Sequence, residues 1–366
     1  MILARYVANR YLRAFLLLAA VFLAILLLID MVEQIRRFSD DGITLGGAAR
    51  LSALSVAGSF YAILPLIGLL AAIMLFLALA RSSEMVAIRA SGRSALRVVG
   101  APAVMAALIG IFAVAVLNPM VAATESKYSA AVAGIEAGSS QTVSLSEDAV
   151  WLRQPVGDGA GQMVIRAGRT SPDATTLYDA SFVIYEPEVG PATRIEAHEA
   201  VLSNGNWNLS DVKQWNLTDP NPEAASSRSD SLNLPTELTA ERIRDGFGSP
   251  QAIPVWELPA YIAGLERAGF SALRHRVWLQ MELSLPLTLA AMVLVASVFT
   301  IRHMRGRKTG GLVLAAFTCG LALFFLRSMA QVLGDSAGLP PAFAGWAPPI
   351  IALLFSIGAL LQLEDG

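Results

Sequence analysis

Three long apolar segments lie before residue 122 and three more after residue 275, and a long polar stretch separates the two groups. A helix crossing a hydrocarbon core ~30 Å thick needs about 20 apolar residues. Segments that meet this need, or nearly meet it, are Ala14–Val32, Phe60–Ala80, Val98–Val116, Trp278–Ile301, Gly311–Leu333 and Pro349–Leu363, the last extended by Ala342–Ala347. The expected architecture is therefore helices in a membrane with a water-soluble domain inserted between the third and fourth crossings. Composition agrees: hydrophobic residues make up 55% and charged residues 15% of the chain, with a mean hydropathy of +0.56. That is too apolar for an ordinary soluble domain. The first apolar run is longer than the ~7–15 residue core of a signal peptide and no small-residue cleavage site follows it, so it is read as a membrane helix.

Lysine and arginine near helix ends set orientation. With the N-terminus inside, one side holds Arg5, Arg10, Arg13, Arg81, Arg89, Arg93, Arg97, Arg302, Arg305, Arg307 and Lys308; the short loops opposite hold Arg36, Arg37 and Arg50. The basic side is assigned to the cytoplasm. The polar middle then faces outward, which in a Gram-negative cell means the periplasm.

From Gln141 to Leu217 the pattern changes to short alternating runs: Thr142–Leu152, Met163–Ala167, Ser181–Tyr185, Thr193–Leu202 and Trp207–Trp215. Turn signals at Gly157-Asp158-Gly159, Ser171-Pro172-Asp173 and Asn204-Gly205-Asn206 separate them. This spacing predicts an antiparallel sandwich, jelly roll or barrel. A helix is expected near Trp256–Leu265, with Gly269 as its terminating glycine.

Several kinds of chemistry lack a sequence signature. No phosphate-binding loop is found, since Lys308-Thr309 follows Arg307 where that motif needs glycine. There is no G-x-S-x-G elbow and no H-E-x-x-H, and His198, His275 and His303 fall in different regions. Asn208 and Asn216 head Asn-X-Ser/Thr triplets that are read as chance matches. A net charge of −2 with no basic block gives no reason to expect nucleic acid, and the single cysteine, Cys319, forbids an intramolecular disulfide. No catalytic residue, metal or cofactor is expected.

Local patterns then point to a family. Asp30-Met31-Val32-Glu33-Gln34-Ile35-Arg36-Arg37 ends the first segment, and Leu64-Pro65-Leu66 lies early in the second. Arg81-Ser82-Ser83-Glu84-Met85-Val86-Ala87-Ile88-Arg89-Ala90-Ser91-Gly92 follows it, and Glu282-Leu283-Ser284-Leu285-Pro286 enters the fourth. Over essentially its whole length the chain resembles the LptF/LptG family of lipopolysaccharide export permeases. The acidic-then-basic end of the first helix is more like the LptG side of that family.

The resemblance implies a six-helix membrane protein with a periplasmic β-jellyroll-like domain, divided as 1–122, 123–272 and 273–366. It implies an LptF–LptG heterodimer on a dimer of the ATPase LptB. Lipopolysaccharide would be extracted from the inner membrane and passed towards an LptC and LptA bridge. It also implies a coupling helix at about 82–93, carrying Glu84 and Arg89 and ended by Gly92. Arg36 and Arg37 match basic residues near the lipid A phosphates, and arginine suits phosphate oxygens. Arg327, a charge inside an apolar segment, is expected to face protein or water: either the lipid phosphates or Asp30. Phe324 and Ile63 are candidates for contact with acyl chains.

Two other readings stay open, a membrane-anchored periplasmic scaffold and a permease for another lipid or for lipoprotein. Association with an ATPase, then crosslinking to lipopolysaccharide, distinguishes them.

Overall fold

The computed structural model describes residues 2–39, 43–82, 84, 94–135, 142–146, 149–156, 161–171, 175–186, 189–203, 205–236, 238–239, 243, 249–267, 270–300 and 309–365. Two compact units result. One comprises Met1–Ser129, Gln251–Trp256 and Leu273–Gly366; the other comprises Ala130–Pro250 and Glu257–Ala272.

The first unit is helical. Its helices are α1 (Ile2–Arg37), α2 (Leu45–Ala62), α3 (Leu64–Arg81), α4 (Ala95–Phe112), a π turn (Ala113–Leu117), α5 (Asn118–Ile135, in this unit as far as Ser129), α7 (Leu273–Leu283), α8 (Leu285–Thr300), α9 (Thr309–Asp335) and α10 (Pro341–Asp365), with α6 (Leu258–Arg267) in the second unit. Among the described residues, five helices are long and apolar enough to cross a membrane, or six if the bent pair α7–α8 is one span. At 1.5 Å per residue, α1 is roughly 54 Å long and must extend beyond a hydrocarbon core.

Proline decides where several of these helices break. The expected span Phe60–Ala80 is not one helix: Phe60 belongs to α2, and α3 begins at Leu64 with Pro65 in its first turn. Proline lacks an N–H and its ring crowds the carbonyl four residues back, here that of Tyr61. Pro286 acts the same way at Ser284, where α7 and α8 meet at a 50° bend. Pro119 withholds the N–H that the Ala115 carbonyl would accept, and the chain answers with the π turn over 113–117. The indole Nε1 of Trp256 donates to that carbonyl instead, at 3.4 Å.

At the centre lies α8, with 12 of its 16 residues buried. It is apolar all round, as a helix surrounded by others must be. It packs on α3, α4, α9 and α10. Lipid tails are as apolar as leucine, so close packing rather than escape from water holds such helices together. Small residues make this possible. A Cβ on Gly110 of α4 would fall 2.5 Å from the Cα of Pro286, and one on Gly345 of α10 would fall 2.7 Å from the backbone of Gln280.

The second unit is built on a seven-stranded sheet in sequence order: β1 (Thr142–Ser146), β2 (Ala149–Val156), β3 (Gly161–Thr170), β4 (Thr176–Glu186), β5 (Gly190–Ser203), β6 (Asn206–Asn216) and β7 (Ser227–Pro235). Every pairing is antiparallel. A jelly roll of two Greek keys would pair strands distant in sequence; among the described residues each strand pairs with its chain neighbour, so the arrangement is a meander. The expected strand Thr142–Leu152 is two strands, β1 and β2. The turn signal at 157–159 lies outside the described residues, as does Gly269.

Register lines up the buried face. Leu152, Ile165, Phe182 and Ile195 form one row, and Ala167, Ala180, Ala197 and Val212 another. Trp207 is fully buried and meets Phe182 edge-on, ring centroids 6.3 Å apart. Large side chains buried from water in this way contribute about 1.5–3 kcal/mol each. Asp179 and Asp211 adopt left-handed backbone, φ 52° and 53°, where regular pairing skips a residue. Short polar side chains such as Asp tolerate that conformation.

The contact of Gly110 with Pro286 gives a test. Gly110→Ala should destabilise the helical unit by about 1–3 kcal/mol, because the obstruction is backbone and cannot rotate away. Gly100→Ala, which meets open space, should not. Thermal midpoints of the detergent-solubilised protein compare the two; equal midpoints would show that α4 and α8 can part without loss.

Candidate functional site

Two polar clusters mark the helical unit. The first joins the broken helices. The Oη of Tyr61, at the end of α2, donates to Glu282 Oε2 at 2.5 Å; Asn118 Nδ2, just past the π turn, donates to the same oxygen at 3.2 Å. The amide oxygen of Asn118 accepts from the backbone N–H of Val255 at 2.8 Å. Glu282 is 1% exposed and Asn118 2%. On α9, Arg327 donates from Nη2 to the carbonyl of Met281 at 3.3 Å, one residue from Glu282. Its Nε is buried with no hydrogen-bond partner.

The cause is local and chemical. Each break removes helical hydrogen bonds and brings a polar side chain inward, and in an apolar surrounding such a group must find a partner. The ends of α2, α7 and the π turn satisfy one another. Ionisable residues inside membrane segments are costly and mark functional positions.

The second cluster sits at the N-terminal end of α1. Arg10 Nη1 donates to both carboxylate oxygens of Glu84, each at 3.0 Å. The Tyr6 hydroxyl donates to Oε2 at 3.1 Å and the Ser82 hydroxyl to Oε1 at 2.8 Å. The Arg10 guanidinium also stands 5.8 Å from the Tyr6 ring centroid and donates to its hydroxyl at 2.8 Å. The hydrogen bond from Ser82, then those from Arg10 and Tyr6, hold the Glu84 carboxyl below the usual carboxylate range. What these contacts stabilise is therefore present above the ordinary carboxylate pKa and is lost as pH falls through the lowered one.

At the other end of α1, Arg36 Nη2 donates to Glu33 Oε1 at 2.9 Å, with both side chains exposed. The Arg37 guanidinium stands 5.1 Å from the ring centroid of Phe38. Asp30 accepts from the Ser55 hydroxyl at 2.5 Å. Arg327 instead bonds the Met281 carbonyl, so of its two expected partners, the lipid phosphates or Asp30, the Asp30 pair is not formed. The reason is register: α2 lies beside α1 and presents Ser55 to Asp30, while Arg327 meets the α7–α8 bend. Phe324 and Ile63 are half-buried against the helical core, whereas Phe325 is 65% exposed. Arg89 and Gly92 lie outside the described residues.

Sequence reasoning singles out Arg327, names Glu282 only as part of the family pattern, and does not reach Tyr61 or Asn118. The signal for Glu282 was the same one, an acid at the start of an apolar segment. Arg10 and Tyr6 had no signal beyond their spacing on one helix face, because Glu84 is far along the chain. Among the described residues no group of three or more His, Cys, Asp or Glu could hold a metal ion.

Tyr61→Phe should cost about 1–3 kcal/mol, since it strips a donor from a buried carboxyl group. Ser328→Ala, which removes an exposed hydroxyl bonded to its own helix, should cost close to nothing. Thermal unfolding in detergent reads the difference, and a Tyr61→Phe protein as stable as its parent would remove the cluster from the account.

Comparison with known proteins adds to this geometry. The family model described as lipopolysaccharide export system permease LptF/LptG matches residues 5–362. The chain is 23% identical over 369 residues to the lipopolysaccharide export system permease protein LptG of Escherichia coli strain K12, covering 99% of this chain and 98% of that one. The protein of the same name from E. coli O6:H1 strain CFT073 gives the same figures.

Proposed function

We propose, from the premise that this chain belongs to the family of lipopolysaccharide export system permeases LptF/LptG, that it acts as the LptG-type membrane subunit of an ABC transporter. It is a permease subunit, not an enzyme; ATP is hydrolysed by a separate subunit. The observation that carries the reading is the family match along nearly the whole chain, across helices, sheet and helices alike. The helical unit makes it a multi-pass protein of the bacterial inner membrane.

Finer assignments rest on that reading. The partners are an LptF-like permease, an LptB-like ATPase dimer, and LptC- and LptA-like periplasmic proteins. Apolar faces support a second membrane subunit or lipid around α1, α9 and α10: Leu28, Ile29, Val32, Phe325, Val332 and Leu354 are all exposed. The N-terminal end of α1 is cytoplasmic, by the distribution of arginine and lysine. The sheet unit is the periplasmic domain, an antiparallel meander with one apolar face. Glu84, Arg89 and Gly92 belong to the segment that meets the ATPase.

For the lipid itself, Arg36 and Arg37 are the phosphate contacts, because both lie at the end of α1 and the charge of Arg36 is exposed. Ile63 and Phe324, with Phe325 beside it, contribute the apolar side. Arg327, one helical turn on from Phe324, is committed through Nη2 to the Met281 carbonyl.

In a Cys319→Ala background, cysteine at Ser229 should react with a membrane-impermeant thiol reagent added outside the inner membrane, and cysteine at Ser94 should be protected. The reverse pattern would invert the orientation. The double substitution Arg36→Glu with Arg37→Glu should sharply reduce photocrosslinking to lipopolysaccharide while the ATPase subunit still co-purifies. Charge-assisted contacts to phosphate contribute about 1.5–3 kcal/mol each when shielded from water. Undiminished crosslinking at normal protein levels would make these arginines interface anchors and nothing more.

A further inference from the structure

We infer that Arg10 is a positioning residue for energy coupling: its ion pair with Glu84 clamps the start of the first cytoplasmic loop to α1, and α1 carries displacement of that loop to the end bearing Arg36 and Arg37. The inference rests on the permease reading above.

Glu84 is the first ground. Its two oxygens accept hydrogen bonds from Arg10, Tyr6 and Ser82. An ionised carboxylate has about four acceptor positions, so this one is filled from within the chain. Glu84 therefore acts through α1 and fixes where the loop begins. Only by displacing Arg10 could an outside donor use it fully.

The second ground is the rod itself. The sequence of α1 contains neither proline nor glycine from Ile2 to Arg37. By contrast, α2 with α3, α4 with α5, and α7 with α8 are each interrupted. A helix without an insertion, proline or π turn has no site at which to kink. From Arg10 to Arg37 it spans roughly 40 Å, longer than a hydrocarbon core. A push at one end is delivered at the other.

The third ground is how little holds it. The buried residues of α1 are Val7, Tyr11, Ala14 and Phe15 near the clamp, and Gln34 near the far end. Between them Leu16, Leu17, Val21, Leu23, Ile25, Leu27, Leu28 and Ile29 are exposed. At the far end the restraints are hydrogen bonds: Ser52 Oγ to the Leu27 carbonyl, Ser55 Oγ to Asp30 and Gln34 Nε2 to Tyr128 Oη. Val7, Tyr11, Ala14 and Phe15 seat the clamped end in the helical core, and the Tyr11 hydroxyl donates to the Gly68 carbonyl at 3.3 Å; beyond Phe15 the helix can shift against its neighbours with little packed core to open.

The test uses the whole complex, this subunit with its permease partner and ATPase, in proteoliposomes loaded with lipopolysaccharide. Lipopolysaccharide delivered to a periplasmic acceptor protein is measured per ATP hydrolysed. Arg10→Ala should assemble and keep basal hydrolysis, yet lose about fivefold or more in delivery per ATP. Arg10→Lys should keep more of it, and Tyr6→Phe should fall between. Arg10→Glu alone should fail, and Arg10→Glu with Glu84→Arg should recover delivery, because the pair is restored with its signs exchanged. That recovery is decisive even if Arg10→Ala does not assemble. Normal delivery per ATP in Arg10→Ala, or a charge exchange no better than Arg10→Glu alone, would overturn the inference. If the unsubstituted complex hydrolyses ATP but delivers no lipopolysaccharide, the permease reading fails instead.

Discussion

A backbone inside lipid must satisfy its own hydrogen bonds, because no water is there to do it. Three prolines set against that rule shape the helical unit. Pro65, Pro119 and Pro286 each take away an N–H, and each lies at a helix break or π turn. The open carbonyls find other donors, Trp256 for that of Ala115 and the Ile63 N–H for that of Tyr61, while beside the breaks the side chains of Tyr61, Asn118 and Glu282 close on one another. The polar cluster thus sits where the breaks bring its side chains together. Its members come from α2, α5 and α7 and tie together helices that dispersion alone would hold only loosely.

The two units solve opposite problems. Around α8 the surroundings offer no gain for leaving water, so small residues and close backbone approach do the holding, as at Gly110 and Gly345. In the sheet, Trp207, Phe182 and the aligned aliphatic rows are buried from water, and ordinary hydrophobic burial suffices. One chain therefore carries two packing logics, and substitutions should be judged by the unit they fall in.

Polar contacts also divide by end. Those at the far end of α1 and at its N-terminus lie on one unbroken helix. Arg36 and Arg37 at one end and the Arg10–Glu84 contacts at the other are thereby linked through a single element. Its neighbours, each interrupted, are better suited to stay as a frame.

Much of this was legible in the sequence because hydropathy is a local property. A helix that crosses a membrane needs an apolar run whatever its neighbours are, so the apolar segments and the polar insert could be read directly. Alternation gave strands such as Met163–Ala167 and Trp207–Trp215 for the same reason. β7 was missed: residues 227–231 are all polar and exposed, and only Leu232 and Leu234 alternate as apolar positions. The partners of charged groups were not legible either. That Arg10 meets Glu84, that Glu282 meets Tyr61 and Asn118, and that Arg327 meets Met281 rather than Asp30 depends on residues tens to hundreds of positions apart. The sequence determined which segments leave water. Tertiary structure alone decided which polar groups neutralise one another there, because that choice is made by distance in space, which no pattern along the chain records.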